Sequence, residues 1–204
     1  MSYISLNTLK NRVIKTLLII LTFSIVISCN KEDSKVDNDI IVDIVATVEL
    51  PKRSGSRPET TMGIPHIQIG VELVSEVNEE LFRRVLSLPG IEIRPSVVGG
   101  WQGLWLTDEL TVIEPDAIIE GREFAHIHDD GSLHIFLQPA RSKEAVENCW
   151  AIYHPYALQE RDKWLGFVML YTPQSMEELN VTFQLIVDGY NYVTGQKLLA
   201  TNYY

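Results

Sequence analysis

The segment 122–137 constrains the fold of this chain more than any other part of its sequence. Residues 122–128 and 132–137 are rich in β-branched, aromatic and apolar side chains, and Asp129-Asp130-Gly131 separates them. Two such runs around a short turn that contains glycine are typical of a β-hairpin. The sequence therefore predicts an antiparallel pair of strands here.

The length of the hairpin loop decides where three histidines point. In a three-residue loop with a left-handed Gly131, His128 faces Ser132 and His126 faces His134. The three imidazoles then share one face, since residues i and i+2 of a strand point the same way. A two-residue turn would instead place His134 on the opposite face. The Asp-Asp-Gly sequence favours the three-residue loop.

The rest of the chain predicts an α+β domain, with a mostly antiparallel sheet and two or three packed helices. A capping box at Ser175 and Glu178 begins the last helix, and Gly195 ends it. Residues 51–65 form a long predicted loop rich in Pro, Gly, Lys and Arg. Loops of this length are usually functional or disordered. Further strands are predicted at 40–50, 67–73, 91–97, 103–107 and 165–171, and further helices at 142–149 and at 78–88, where Asn78 is the expected cap.

The N-terminus has the pattern of a secretory signal, with a basic stretch, an apolar run over 17–27 and Ser28 before Cys29. The apolar run is short for a membrane span, although an uncleaved single-pass anchor is the alternative. Residues 26–29 resemble the lipobox of bacterial lipoproteins, which implies cleavage before Cys29 and acylation, for example with palmitate. We therefore expect a signal peptide (1–28), an acidic tether (29–39) and one domain (40–204).

The tether begins with a Lys-Glu-Asp cluster that resembles the surface-export signal of Bacteroidetes lipoproteins. This resemblance implies a protein that lipid anchors to the outer membrane and exposes at the cell surface. A spacer that faces the periplasm is the alternative. Asp and Glu number 27 against 17 Lys and Arg, so we expect no nucleic-acid partner. Besides Cys29 the only cysteine is Cys149, which we expect to be a small core residue of a helix rather than a nucleophile.

The histidines are the candidate functional side chains. His126, His128 and His134 could bind zinc, iron or copper if they share a face. The alternative is that they line a pocket or form hydrogen bonds within the sheet. Gly121, His126 and His128 resemble the first cupin motif, but the glycine spacing is off by one and the downstream glutamate is missing. We therefore assign no metal to this chain; if a metal binds, we expect His126, His128 and His134 to be its ligands.

Other polar residues lie close to these histidines in the sequence. In a regular strand Glu123 points away from His126, so the two need not share a site. His66 and His154 lie in loops and are well placed to reach a site at the edge of a sheet. We expect His66, Glu123, His134 and His154 to contact a ligand.

Seven short motifs occur together between residues 48 and 193. They are Pro51-Lys52-Arg53-Ser54-Gly55-Ser56-Arg57-Pro58-Glu59-Thr60-Thr61, Pro65-His66-Ile67-Gln68, Leu88-Pro89-Gly90, Arg94-Pro95-Ser96, Gly121-Arg122-Glu123-Phe124-Ala125-His126-Ile127-His128, Asp130-Gly131-Ser132-Leu133-His134 and His154-Pro155. In combination they resemble the luciferase-like domain family, which includes bacterial and plant proteins and which the luciferase of luminous fungi resembles.

The resemblance implies an oxygenase that acts on a small enolisable or aromatic molecule with molecular oxygen and without metal or flavin. It implies a site at the hairpin and at the loop of Arg57 and His66. We expect His126 or His128 to remove a proton from the substrate, and Arg122 or Arg57 to hold the resulting enolate. The alternatives are a non-catalytic lipoprotein that binds a small molecule or glycan, and a cupin-like metalloenzyme.

Overall fold

The structure, a computed structural model, describes residues 48–159 and 164–204. The signal peptide, the tether and most of the predicted strand 40–50 lie outside the described residues. Val48 to Leu50 lie within them and do not form a strand. None of the described helices is long and apolar enough to cross a membrane.

The described strands form two antiparallel sheets. A two-stranded sheet pairs β1 (Glu59–Thr60) with β2 (Gln68–Ile69). The second sheet has six strands: β3 (Ile91–Pro95), β4 (Gln102–Leu106), β5 (Glu123–Ile127), β6 (Leu133–Phe136), β7 (Ala151–Tyr153) and β8 (Phe167–Leu170). Their order in the sheet is β3-β4-β5-β6-β8-β7.

The described residues also form three α-helices: α1 (Ser75–Ser87), α2 (Pro139–Glu147) and α3 (Met176–Thr194). Helix α3 packs on β5, β6 and α1. The Ser175 hydroxyl accepts a hydrogen bond from the Glu178 amide, and Gly195 ends the helix with φ 71°, as the sequence predicts. The apolar stripe of α3 is wholly buried and comprises Leu179, Phe183, Ile186, Tyr190 and Val193. These elements confirm the predicted α+β class.

Several predicted boundaries were wrong. Helix α1 begins at Ser75 after Val74, so Asn78 lies inside the helix and is not its cap. Helix α2 begins three residues early, because Pro139 fits the first helical position, where its missing N–H is not needed. The predicted strand 67–73 is reduced to β2. The sequence did not predict β1 or β7, which have two and three residues.

The hairpin of β5 and β6 has the predicted three-residue loop. His126 pairs with His134, and the His128 amide donates to the Ser132 carbonyl at 2.8 Å. Gly131 has φ 82°, a left-handed conformation that favours glycine because a Cβ would crowd the backbone. His126, His128 and His134 therefore share one face of the hairpin.

A β-bulge in β5 reverses the expected direction of one side chain. Leu104 pairs with Ala125 but Trp105 pairs with Glu123, so Phe124 is the extra residue. The Phe124 ring turns towards α3, where it lies 6.2 Å from the Tyr190 ring. Glu123 therefore returns to the face of His126, and the expectation that they lie on opposite faces was wrong.

Candidate functional site

All five histidines of the chain meet on one face of the large sheet. We call His66, His126, His128, His134 and His154 the histidine cluster; all five are buried. His134 is central, with its ring centroid 4.6 to 5.3 Å from those of the other four. The hairpin supplies three members, and the loops before β2 and after β7 supply His66 and His154.

Glu123 closes one end of the cluster. Its carboxylate accepts from the Ser96 hydroxyl at 2.7 Å and from the Val97 amide at 2.8 Å. His126 Nδ1 lies 3.1 Å from the same carboxylate. Because a carboxylate only accepts hydrogen bonds, Nδ1 of His126 must carry a proton and donate it. Ser96 belongs to one of the motifs of the resemblance, but no site role was expected for it, because it follows β3 and lies 27 positions from Glu123 in the sequence.

Three histidines continue from Glu123 as a hydrogen-bonded series, which we call the histidine chain: His126, His134 and His66. His126 Nε2 lies 3.0 Å from His134 Nδ1, and His134 Nε2 lies 3.1 Å from His66 Nδ1. A neutral imidazole has one N–H and one lone pair. With His126 neutral, each Nδ1–H donates towards Glu123, and the lone pair at the far end belongs to Nε2 of His66.

Burial keeps most of the cluster uncharged near neutral pH. It lowers the pKa of His128 to about 3 and that of His154 to about 4, and neighbouring imidazoles add to both shifts. Burial is also the main cause that lowers the pKa of His134 well below its usual value, and it lowers the pKa of His66. These four side chains therefore offer lone pairs and neutral N–H donors rather than positive charge.

His154 and His128 are held in opposite tautomers. The Tyr156 amide donates to His154 Nδ1 at 3.1 Å, so the proton of neutral His154 is on Nε2. His128 Nδ1 lies 2.9 Å from the Ser132 hydroxyl, which itself donates to Asp130 at 2.7 Å. His128 therefore donates through Nδ1, and its Nε2 is a buried lone pair without a partner among the described residues.

A cavity of about 170 Å³ lies against the cluster. Four of the five histidines line it, all but His128, and no Asp, Glu, Lys or Arg side chain is among the described lining residues. Its other walls are apolar or aromatic and include Ile64, Pro65, Trp101, Tyr156, Trp164 and Phe167. A small, neutral and planar molecule fits this chemistry.

A second cavity, of about 270 Å³, lies beside Arg141 and Asp188. These two side chains pair with each other at 2.7 Å. No histidine lines this cavity. Its carboxylate, Asp188, is held by Arg141, whereas the first cavity is lined by four imidazoles, so the first cavity is the candidate site.

The two arginines expected at the site lie elsewhere. Arg122 donates to the backbone carbonyls of Leu106, Thr107 and Leu110 and so fixes the loop after β4. Arg57 donates to the Val146 carbonyl at 2.6 Å and to the Cys149 sulfur at 3.3 Å. Neither arginine lines the cavity of the histidine cluster, so the expected enolate contact is absent from these positions.

Cys149 is not the core residue of a helix that the sequence suggested. It follows the end of α2, has φ 66° and is half-buried. This is the left-handed position after a helix, which glycine or asparagine usually occupies. The Arg57 contact accompanies this unusual backbone.

Trp101 covers the hairpin histidines from the side of the cavity. Its ring centroid lies 5.3 Å from that of His126 and 4.2 Å from that of His128. Sequence reasoning assigned no site role to Trp101 or to Asp130. Asp130 does have a local signal, since an Asp two residues before Ser132 commonly accepts from that residue's amide, as it does here at 2.9 Å.

The protein is thus of the α+β class: an antiparallel sheet with packed helices carries a buried histidine cluster beside a largely apolar cavity. Residues 121–187 match the family model described as the Luciferase domain. The match confirms the resemblance to the luciferase-like domain family, and it includes Glu123 and every histidine of the cluster except His66. No curated protein and no solved structure matches the chain.

Proposed function

We propose that this protein is an oxygenase that binds a small enolisable or aromatic molecule in the cavity of the histidine cluster. Molecular oxygen is the co-substrate, and the imidazoles supply the acid and base chemistry without a further cofactor. The observation that carries the proposal is the histidine chain, which connects the Glu123 carboxylate to the cavity wall at His66.

The histidine chain provides a general base at the cavity. His66 Nε2 accepts the proton of a substrate enol or acidic C–H group. The Nδ1 proton of His66 then moves to His134 Nε2, and the Nδ1 proton of His134 moves to His126 Nε2. The positive charge ends on His126 beside Glu123, where the carboxylate stabilises it. The base is thus His66, rather than His126 or His128 as expected from the sequence.

A hydrogen-bond donor for the enolate lies beside this base. His154 lines the same cavity, its ring centroid is 5.3 Å from that of His66, and its proton is on Nε2. In an apolar cavity such a neutral donor stabilises an enolate oxygen more than it would in water. His154 takes the role expected for Arg122 or Arg57. The electron-rich enolate is then the species to which oxygen adds.

Export and lipid anchoring are part of the proposal. The signal pattern and the lipobox before Cys29 support an outer-membrane lipoprotein whose domain faces the cell surface or the periplasm. The uncharged cavity supports a neutral small molecule as its ligand, and the acidic composition argues against a nucleic-acid partner.

Oxygen consumption with a panel of hydroxylated α-pyrones and 1,3-dicarbonyl compounds tests the enzyme directly. We expect one of these compounds to support uptake, and His66→Gln to lower kcat by about 100-fold or more, the contribution typical of a general base. Arg57→Gln is the matched control, because Arg57 lies outside the cavity, and it should retain turnover. A compound that binds in the cavity without oxygen uptake would instead favour the non-catalytic binding lipoprotein.

A further inference from the structure

We propose that His126, His128 and His134 form a binding site for one divalent first-row transition metal ion. The proposal does not depend on the oxygenase function or on its substrate. It rests on three imidazole nitrogens that converge below Trp101, and on the partners that orient each ring from its other side.

The lone pairs of two rings are directed by acidic groups. Glu123 holds the proton of His126 on Nδ1, so His126 Nε2 has a lone pair, which accepts from His134 Nδ1 when no ion is bound. Asp130 acts on His128 through the Ser132 hydroxyl and likewise leaves a lone pair on Nε2. Nε2 of His128 is buried and has no hydrogen-bond partner among the described residues. A buried lone pair of this kind is costly unless something binds it.

The spacing of the three rings fits a common ion. One nitrogen from each ring lies within 4.8 Å of one from each other ring. The ring centroids are 5.4 Å apart for His126 and His128, 5.0 Å for His126 and His134, and 4.6 Å for His128 and His134. Three imidazoles bound at about 2.0–2.1 Å around a tetrahedral ion have centroids roughly 5 Å apart. The spacing of the ring centroids therefore matches that of three imidazoles on one ion.

Each ring also has the outer partner that metal-binding histidines usually have. The nitrogen that faces away from the site contacts Glu123 in His126, Ser132 in His128 and His66 in His134. Such partners fix the tautomer and raise the basicity of the ligand. The carboxylates of Glu123 and Asp130 also offset the charge of a divalent ion in this buried place.

A second group of three histidines, His66, His134 and His154, has similar spacing. It is not suited to an ion, because the Tyr156 amide occupies Nδ1 of His154 and leaves the proton on Nε2. Imidazole ligands favour zinc, copper, iron and nickel over magnesium or calcium. The ligand of the hairpin site is therefore a first-row transition ion.

A bound ion changes the histidine chain. It takes the lone pair of His134 Nδ1, so the proton of His134 moves to Nε2 and is donated to His66 Nδ1. His66 then carries its own proton on Nε2 and no longer acts as a base towards the cavity. The ion and the general base are therefore alternatives, and zinc should inhibit the oxygenase reaction and EDTA should restore it.

Calorimetric titration with zinc tests the site without any substrate. The full-length protein is purified in detergent without a histidine tag, stripped with EDTA and dialysed. We expect one ion per chain, and a tetrahedral absorption spectrum when cobalt replaces zinc. His128→Gln should weaken zinc binding by about 100-fold or more, and Ser132→Ala, which removes only the outer partner, by about 10- to 100-fold.

His154→Gln is the matched control, because it removes an equally buried imidazole from the other group and should change zinc affinity by less than about 10-fold. Circular dichroism of each metal-free variant checks folding. If His128→Gln does not fold, the zinc affinity of Ser132→Ala becomes the test of the site. The proposal is overturned if the wild type takes no zinc at millimolar concentration. It is also overturned if His154→Gln abolishes binding while His128→Gln retains it. Neither result would affect the oxygen-uptake test.

Discussion

Glu123 Oε1 lies 3.1 Å from His126 Nδ1, although the two residues are three apart in one strand and would point to opposite faces in a regular one. The bulge at Phe124 brings them together. A buried carboxylate thereby reaches the end of three linked imidazoles. Without the bulge, the histidine cluster would have no acidic partner on β5.

Glu123→Gln should destabilise the protein and disrupt the histidine chain. Glu123 accepts from Ser96, Val97 and His126, and an amide in its place must turn N–H groups towards at least one of these donors. We expect a loss of about 1–3 kcal/mol in the free energy of unfolding, measured by urea denaturation, and a loss of oxygen uptake. The exposed Glu92→Gln on β3 is the control and should change stability by no more than about 0.5 kcal/mol. Equal stability of the two variants would contradict this role of Glu123.

Gly131→Ala should destabilise the hairpin more than its conformation alone requires. Gly131 has φ 82°, and a Cβ there would lie 2.7 Å from Leu73 Cδ1 and 3.1 Å from Thr172 Cγ2. The matched control is Gly55→Ala, with φ 85° and nothing within 4 Å of a Cβ. Both variants lose about 1–2 kcal/mol from the left-handed backbone, and crowding against Leu73 and Thr172 costs Gly131→Ala about 0.5–1 kcal/mol more. Denaturation curves that give equal losses would argue against a tightly packed turn.

The sequence predicted the hairpin and its three-residue loop because the turn is encoded locally by Asp129-Asp130-Gly131. The shared face of His126, His128 and His134 follows from that turn alone. The convergence of His66 and His154 was expected from their loops. The hairpin part of the site depends on short-range rules that a single sequence contains, whereas His66 reaches His134 from 68 positions away.

The parts that failed depend on contacts between distant segments. The bulge at Phe124 depends on how β5 pairs with β4, where Trp105 pairs with Glu123. No local pattern in the sequence of β5 predicts it. Arg57 contacts Cys149 from 92 positions away, and Arg122 turns to carbonyls of the loop after β4. Their positive charge suggested an enolate partner, but their backbone partners were not visible in the sequence.

Stability should fall steeply in mild acid. Burial lowers the pKa of His128 to about 3 and that of His154 to about 4, against 6.5 in the unfolded chain. Below about pH 6.5 these two histidines are therefore protonated in the unfolded state, whereas in the folded state they stay neutral until the pH falls to about 3 to 4. Within this window each such histidine lowers the unfolding free energy by about 1.4 kcal/mol per pH unit.

Urea denaturation at pH 7, 6 and 5 in the presence of EDTA measures this slope. The unfolding free energy of His128→Gln should depend less steeply on pH than that of the wild type, because the variant lacks one histidine that takes up a proton on unfolding. A wild-type stability that does not change between pH 7 and 5 would contradict the neutral, buried state of the cluster.

Cys29→Ser should abolish lipid attachment. If residues 26–29 are a lipobox, the precursor of this variant is neither acylated nor cleaved, and it should incorporate no labelled palmitate in bacterial cells. Cys149→Ser is the matched control and should be labelled like the wild type. Label in the Cys29→Ser variant would contradict anchoring through Cys29.

The tautomers of the histidine chain test the central claim most directly, since they need neither a substrate nor a metal. Long-range ¹H–¹⁵N correlation spectra of the EDTA-treated protein at pH 7 distinguish a protonated from an unprotonated ring nitrogen. The histidine chain, which begins at Glu123, predicts that His126, His134 and His66 all carry the proton on Nδ1 and leave Nε2 unprotonated. A proton on Nε2 of His66 would contradict the account, because the cavity would then face a donor instead of a base.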